Sequence, residues 1–169
     1  MNIMTYFEQA ELALAAYATL SPGISGTAYK NALTDSNVGM SQSQAERFSE
    51  QWRVVDQYTH SEVIEYIDEF GNLQQAETRN GLSVTLFEEA GTGKRHLAIR
   101  GTDDVGDLLT DWFDIALIGS AKYQSQYQSL KLKVQEWQAD PACLQGRTFT
   151  VAGHSLGGFL ATALTADFG

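Results

Sequence analysis

The 169-residue chain is poor in several things, and each shortage excludes something. It has one cysteine, Cys143. A single thiol makes no internal disulfide and builds no zinc site, so Cys143 reads as a small apolar residue near a loop. Only two prolines and 15 glycines argue against a disordered or low-complexity chain. Basic residues are scarce: 11 Lys and Arg stand against 21 Asp and Glu, a formal net charge of −10. Such a surface repels phosphate backbones, which excludes nucleic acid as the natural partner. It gains no pull toward anionic lipid either, so any lipid contact has to be apolar. No apolar run reaches the ~18 residues of a membrane span. The N-terminus lacks a basic stretch, and Glu8 and Glu11 interrupt its apolar residues. It does not read as a secretory signal, which leaves the compartment open, including export through a C-terminal signal of a longer parent. No Cys or His cluster has metal-ligand spacing, so neither a metal nor a cofactor is expected.

What is present supports a folded domain. Hydrophobic residues make up 43% of the chain, enough for a core, and the length fits one domain rather than two. Three parts follow one another: 1–52 helical, 53–100 a strand meander, and 101–169 a mixture of helix and strand. Ile3, Phe7, Ala10, Leu14 and Tyr17 recur at helical steps, and Ser21-Pro22-Gly23 stops that helix. A loop is expected over about 21–40. Ser41 with Gln44 forms a capping box for a short helix carrying Ala45, Phe48 and Trp52 on one face. From 53 to 100 the period shifts toward two. Val54-Val55, Val63 to Ile67, Leu82-Val84-Leu86 and Leu97-Ile99 read as strands. Phe70-Gly71-Asn72, Asn80-Gly81 and Gly91-Thr92-Gly93 read as the turns between them. Tyr123, Tyr127, Leu130, Val134 and Trp137 then make a helical stripe. A helix between two strands is the crossover of a parallel sheet, so the strand at 148–152 is expected beside an earlier one.

That last strand runs into Gly153-His154-Ser155-Leu156-Gly157-Gly158 and then into a helix. This is G-x-S-x-G in the strand–turn–helix context that its chemistry requires. A tight turn lifts the Ser155 hydroxyl above the sheet, and glycines at 153 and 157 remove collisions that side chains would cause. The backbone N–H of Leu156 falls at a helix N-terminus, where it can stabilise an oxyanion. Ser155 is therefore the candidate nucleophile and Leu156 a candidate oxyanion donor. Gly91-Thr92-Gly93-Lys94 is not a phosphate loop: Glu88 stands where the first glycine belongs, and Arg95 where Ser or Thr does.

A second segment, Leu97 to Asp104 with Arg100-Gly101-Thr102, taken with Asp111-Trp112, resembles the RGT…DW region of class 3 lipases. That family includes fungal triacylglycerol lipases, and the order RGT, amphipathic stretch, long helix, GHSLGG is similar. The resemblance covers about residues 82–168. The part before resembles the N-terminal region of bacterial lipase-like proteins. It implies an α/β-hydrolase-like fold, a sheet with flanking helices, broken off after the nucleophile turn. It implies Ser155 as nucleophile, with the N–H groups of Leu156 and Thr102 as the oxyanion hole. It also implies a lid over 104–112, where Val105, Leu108, Leu109 and Trp112 mix with Asp103, Asp107 and Asp111.

The chain departs from that pattern in one respect. The family's acid and histidine follow the serine, and no histidine follows Ser155 here; the three present are His60, His96 and His154. His60 and His96 read as ordinary scaffold residues, and the turn aims His154 away from its neighbour. Loss of a triad histidine costs on the order of 10⁶ in turnover. The 169 residues alone are thus expected to be nearly inert, either part of a longer enzyme or a lapsed one. The partners expected are an ester or lipid substrate, a transient lipid interface, and self-association through an unpaired sheet edge. Two other readings stay open. One is a non-catalytic binding module; the other is a thioesterase or acyltransferase on the same fold.

Overall fold

The computed structural model describes residues 3–67, 70–101 and 119–168. Five helices and a four-stranded sheet occupy these residues, in the order α1 (Ile3–Ala15), α2 (Gly26–Thr34), α3 (Gln42–Gln51), β1 (Trp52–Ile67), β2 (Leu73–Glu89), β3 (Arg95–Ile99), α4 (Gly119–Ala139), β4 (Phe149–Gly153) and α5 (Leu156–Phe168). The spatial strand order is β1-β2-β3-β4. The first three strands are antiparallel, while β4 runs parallel to β3, with Ile99 opposite Gly153. α4 is the crossover between those two strands.

Helices cover both faces of the sheet, which explains why residues 82–87 of β2 and all of β3 are buried without alternation. On one face Leu12 and Ala15 of α1 and the adjoining Ala16 pack with Leu33, Phe48, Trp52 and Phe87. Phe48 sits at the centre of this face, its ring 5.5 Å from Phe87 and 6.3 Å from Tyr29 in edge contacts. On the other face Leu130, Val134 and Trp137 of α4 and Leu160 and Leu164 of α5 pack on Leu86, Leu97 and Ile99.

Local chemistry accounts for many of the ends. Ser41 and Gln44 form the reciprocal capping box of α3. Arg95, buried at the start of β3, ties down the segment after α4. Its Nε donates to Cys143 O at 2.9 Å, one terminal nitrogen donates to Ala142 O, and the other pairs with Glu88. Cys143 lies buried beside this segment; burial and the adjacent Asp140 carboxylate push its thiol up to about 11.

Four sequence expectations need correction. The span 21–40 is not all loop: α2 forms there, burying Tyr29 and Leu33. Asn80-Gly81 is not a turn between two strands. It lies inside β2 at an irregularity opposite His60, where Gly81 takes φ +86. His60 is accordingly in a strand and not in a turn. The apolar stripe that begins with Ile3 and Phe7 is also not the buried face of α1, since Ile3 is 82% and Phe7 46% exposed.

Candidate active site

The sharpest backbone feature of the molecule sits between β4 and α5. Ser155 has φ +54, and among the described residues it is the one non-glycine with positive φ. That conformation costs an L-residue on the order of 1–2 kcal/mol. The turn is closed by hydrogen bonds from Gly157 N to His154 O and from Gly158 N to Ser155 O, both 2.9 Å.

The flanking glycines are required by space. A Cβ on Gly153 would lie 2.3 Å from the Gly157 carbonyl, and one on Gly157 would lie 2.2 Å from Ile99 O. Neither position tolerates any side chain without moving backbone. A Cβ on Gly158 would come to 3.2 Å from Gly153 O, so the first turn of α5 also sits close on β4. The result is an exposed Ser155 held on top of the β3–β4 edge. Leu156 opens α5, and the N–H groups of a helix's first turn have no acceptor within the helix.

The end of β3 abuts this turn. A Cβ on Gly101 would lie 2.8 Å from His154 O and 3.4 Å from Ser155 Cβ. Thr102, the next residue in sequence, lies outside the described residues, as does the expected lid at 104–112. The same Gly101 position is 3.0 Å from the Tyr17 hydroxyl. The sequence reading had placed Tyr17 only on an apolar helix face. No local signal marks its hydroxyl; the packing of α1 over β3 and β4 brings it there.

Beside the turn lies a groove of about 950 Å³, walled by Tyr6, Ala10 and Leu14 of α1 and by Tyr17 just past its end, floored by β4, and closed by Gly158 and Ala161 of α5. It runs along the edge of β4 away from β3, which is unpaired among the described residues.

No histidine reaches Ser155 from the described scaffold. His96 pairs in register with Thr150, and its Nδ1 lies 2.6 Å from Thr150 Oγ1. Thr150 is five residues before Ser155 on the strand path, so at ~3.3 Å per residue the imidazole is about 16 Å away. His96 is buried against the Trp52 ring, where loss of solvent lowers its pKa. His60 hydrogen-bonds to Tyr58 Oη at 2.7 Å on β1. Three strand spacings, about 14 Å, separate β1 from β4. His154 is exposed. Among the described carboxylates, Asp56 accepts from Trp137 Nε1, and Asp167 binds Tyr127 and Lys131. Both serve the scaffold. No group of three or more metal-ligating side chains is found among the described residues. No described helix is long and apolar enough to cross a membrane.

No protein-family model matches the chain, and no curated protein matches it. Among solved structures it is similar to the crystal structure of a lipase from Rhizopus microsporus var. chinensis, with a TM-score of 0.50 and 14% sequence identity. The likeness extends over 99% of this chain and 52% of that one, so this chain spans about half the length of the lipase it matches. At that identity the likeness shows the fold alone, a mixed α/β arrangement of the α/β-hydrolase-like kind.

Proposed function

We propose that the chain is the nucleophile-bearing part of a serine hydrolase of carboxylic esters, of the class 3 lipase type, acting on lipid or other apolar esters. The observation that carries the reading is the strained Ser155 at a strand–turn–helix junction whose flanking glycines have no room for a Cβ. A strained serine with its hydroxyl exposed costs stability and has an evident use in nucleophilic attack. The lipase fold of the structural neighbour supports the same reading.

In this mechanism Ser155 Oγ attacks the ester carbonyl carbon while a base takes its proton. The N–H groups of Leu156 and Thr102 hold the developing oxyanion. The alkoxide leaves with a proton, and water then releases the acid from the acyl-serine. The base and its orienting acid come from outside the described residues. The groove along β4 supports the entry of a further strand there: its floor offers backbone donors and acceptors, and its α1 wall is mostly apolar, with Thr5 and Gln9 as its polar members. The same free edge is the route for self-association.

The test is hydrolysis of p-nitrophenyl butyrate by the native chain and Ser155→Ala, each with and without added imidazole as a diffusible base. Both are expected near background without imidazole, and with it only the native chain is expected to exceed the rate of imidazole alone. A lipase-like, Ser155-dependent rate without imidazole would place a base inside the 169 residues. Equal rates for both proteins in imidazole would favour a binding module, the reading supported by the absence of a histidine within reach. A panel of thioesters beside oxygen esters separates thioesterase or acyltransferase chemistry.

A further inference from the structure

Residues 16–20 carry the chain out of α1, and one distant side chain holds them. Tyr17 N–H bonds to Leu14 O and Ala18 N–H to Ala15 O, so the helix ends in a tightened last turn. Beyond that turn the partners come from β1, 37 to 39 residues later in the chain. Gln57 Oε1 accepts from Leu20 N–H at 2.8 Å. Gln57 Nε2 donates to Ala18 O at 2.9 Å and to Thr85 Oγ1 at 2.8 Å. Ala18, Leu20 and Thr85 are all buried, where an unpaired backbone group is costly. The carboxamide fits one way round only. Its oxygen must face the Leu20 N–H and its nitrogen the Ala18 carbonyl, a pair that neither a carboxylate nor an apolar side chain can satisfy.

The residue fixed between the helix turn and this clamp is Tyr17. It is half-buried, and its hydroxyl reaches the Ser155 end of the sheet. A Cβ on Gly101 would lie 3.0 Å from Tyr17 Oη and 3.4 Å from Ser155 Cβ. The hydroxyl therefore borders the space that a side chain of Gly101 would fill, on the way to the nucleophile. A glycine has wide backbone freedom, so a neighbour has to supply the limit that its own side chain does not. Gly101 leads directly into Thr102, the second oxyanion donor proposed above. Gln57 itself lies on β1, the strand farthest from β4 in the sheet, so no local pattern ties it to the site.

We propose that Gln57 is a positioning residue for the Ser155 site. By clamping Ala18 and Leu20 it sets the Tyr17 hydroxyl against Gly101, and so sets the Gly101–Thr102 backbone beside the nucleophile. Gln57 touches no substrate. This deepens the hydrolase reading, on which its effect on turnover rests. Its effect on the backbone needs no turnover, so the two fail separately.

The experiment compares the whole native chain with Gln57→Met, Tyr17→Phe and Thr85→Val. Two things are read: the backbone amide NMR signals of isotope-labelled glycine, and imidazole-assisted hydrolysis of p-nitrophenyl butyrate. Gln57→Met is expected to move the Gly101 and Gly153 signals and to leave that of Gly91, in the turn between β2 and β3, in place. Its kcat should fall roughly tenfold with KM unchanged, because an oxyanion donor acts on the transition state. Tyr17→Phe keeps the ring; it should move the same signals and lower kcat by a smaller factor. Thr85→Val removes one Gln57 hydrogen bond and leaves the two that form the clamp. It should lower stability while the Gly101 and Gly153 signals and the rate stay native. If Gln57→Met does not fold, Tyr17→Phe against Thr85→Val carries the same decision. Unmoved Gly101 and Gly153 signals in the Gln57 and Tyr17 variants would overturn the proposal. So would an equal disturbance in Thr85→Val, which would make Gln57 an ordinary scaffold bridge. A raised KM with kcat intact, or moved signals with an unchanged Ser155-dependent rate, would overturn it as well. A native chain with no Ser155-dependent rate would remove the hydrolase reading, and the glycine signals would then decide the clamp alone.

Discussion

The two ends of the four-stranded sheet are built on opposite principles. At the end where β3 begins, side chains close every gap. Trp52 stacks edge-on to His96, Arg95 satisfies two loop carbonyls and Glu88, and Phe48 locks onto Phe87. At the end where β3 and β4 finish, side chains are missing by requirement. Gly101, Gly153 and Gly157 meet backbone at distances no Cβ can share, and Ser155 takes a conformation that L-residues avoid. The first end contributes stability; the second uses some of it to hold one hydroxyl and one helix N-terminus in the open.

Breaking the second end should cost most. Gly157→Ala places a Cβ 2.2 Å from Ile99 O, and both partners are backbone. A loss of about 4 kcal/mol or more is expected in urea unfolding, because β3 and α5 must separate. A tolerated alanine would mean the two elements pack less closely than described.

Breaking the first end should cost somewhat less. Arg95→Met keeps the stem but leaves the Ala142 and Cys143 carbonyls and part of Glu88 without their donor. About 3 kcal/mol is expected, with the 140–147 segment becoming sensitive to protease while the imidazole-assisted, Ser155-dependent rate persists. Equal damage to acylation would show that the two ends are not separable.

A smaller effect is expected from pH. Burial lowers the His96 pKa below its ordinary 6.5, so the folded state favours the neutral ring. The stability tied to this group is present above about 6.5, declines as pH falls through that value, and levels off below the folded pKa. His96→Gln should flatten that slope in unfolding curves taken between pH 7.5 and pH 5 (about one unit either side of an ordinary histidine). An unchanged slope would assign it to other groups.

Much of this contrast was legible in the residues. G-x-S-x-G carries its own steric reason, and the Ser41–Gln44 box and the β-rich runs mark their elements locally. What escaped reading depends on packing. α2 follows a Pro-Gly break and has few apolar residues, so Tyr29, Ala32 and Leu33 look like part of a loop until Phe48 covers them. Helix α1 and the turn that follows it are apolar on two sides; sequence periodicity cannot choose between Leu12–Ala15–Ala16 and the Ala10–Leu14–Tyr17 side that walls the groove. Asn80-Gly81 carries the signal of a hairpin turn, but long cross-strand pairing absorbs it as an irregularity. The likeness to a lipase at 14% identity has the same lesson: fold outlasts local sequence, and it does not by itself assign residues.

On the function proposed above, the Ser155 turn stores strain in order to present a nucleophile. Its most direct test is urea unfolding of Ser155→Gly beside Ser155→Ala and the native chain. Alanine keeps the Cβ and the strain, while glycine relieves it. The account predicts that Ser155→Gly is more stable than Ser155→Ala by about 1 kcal/mol. A glycine variant equal to or less stable than the alanine variant would contradict it, and Ser155 would then be an ordinary turn residue.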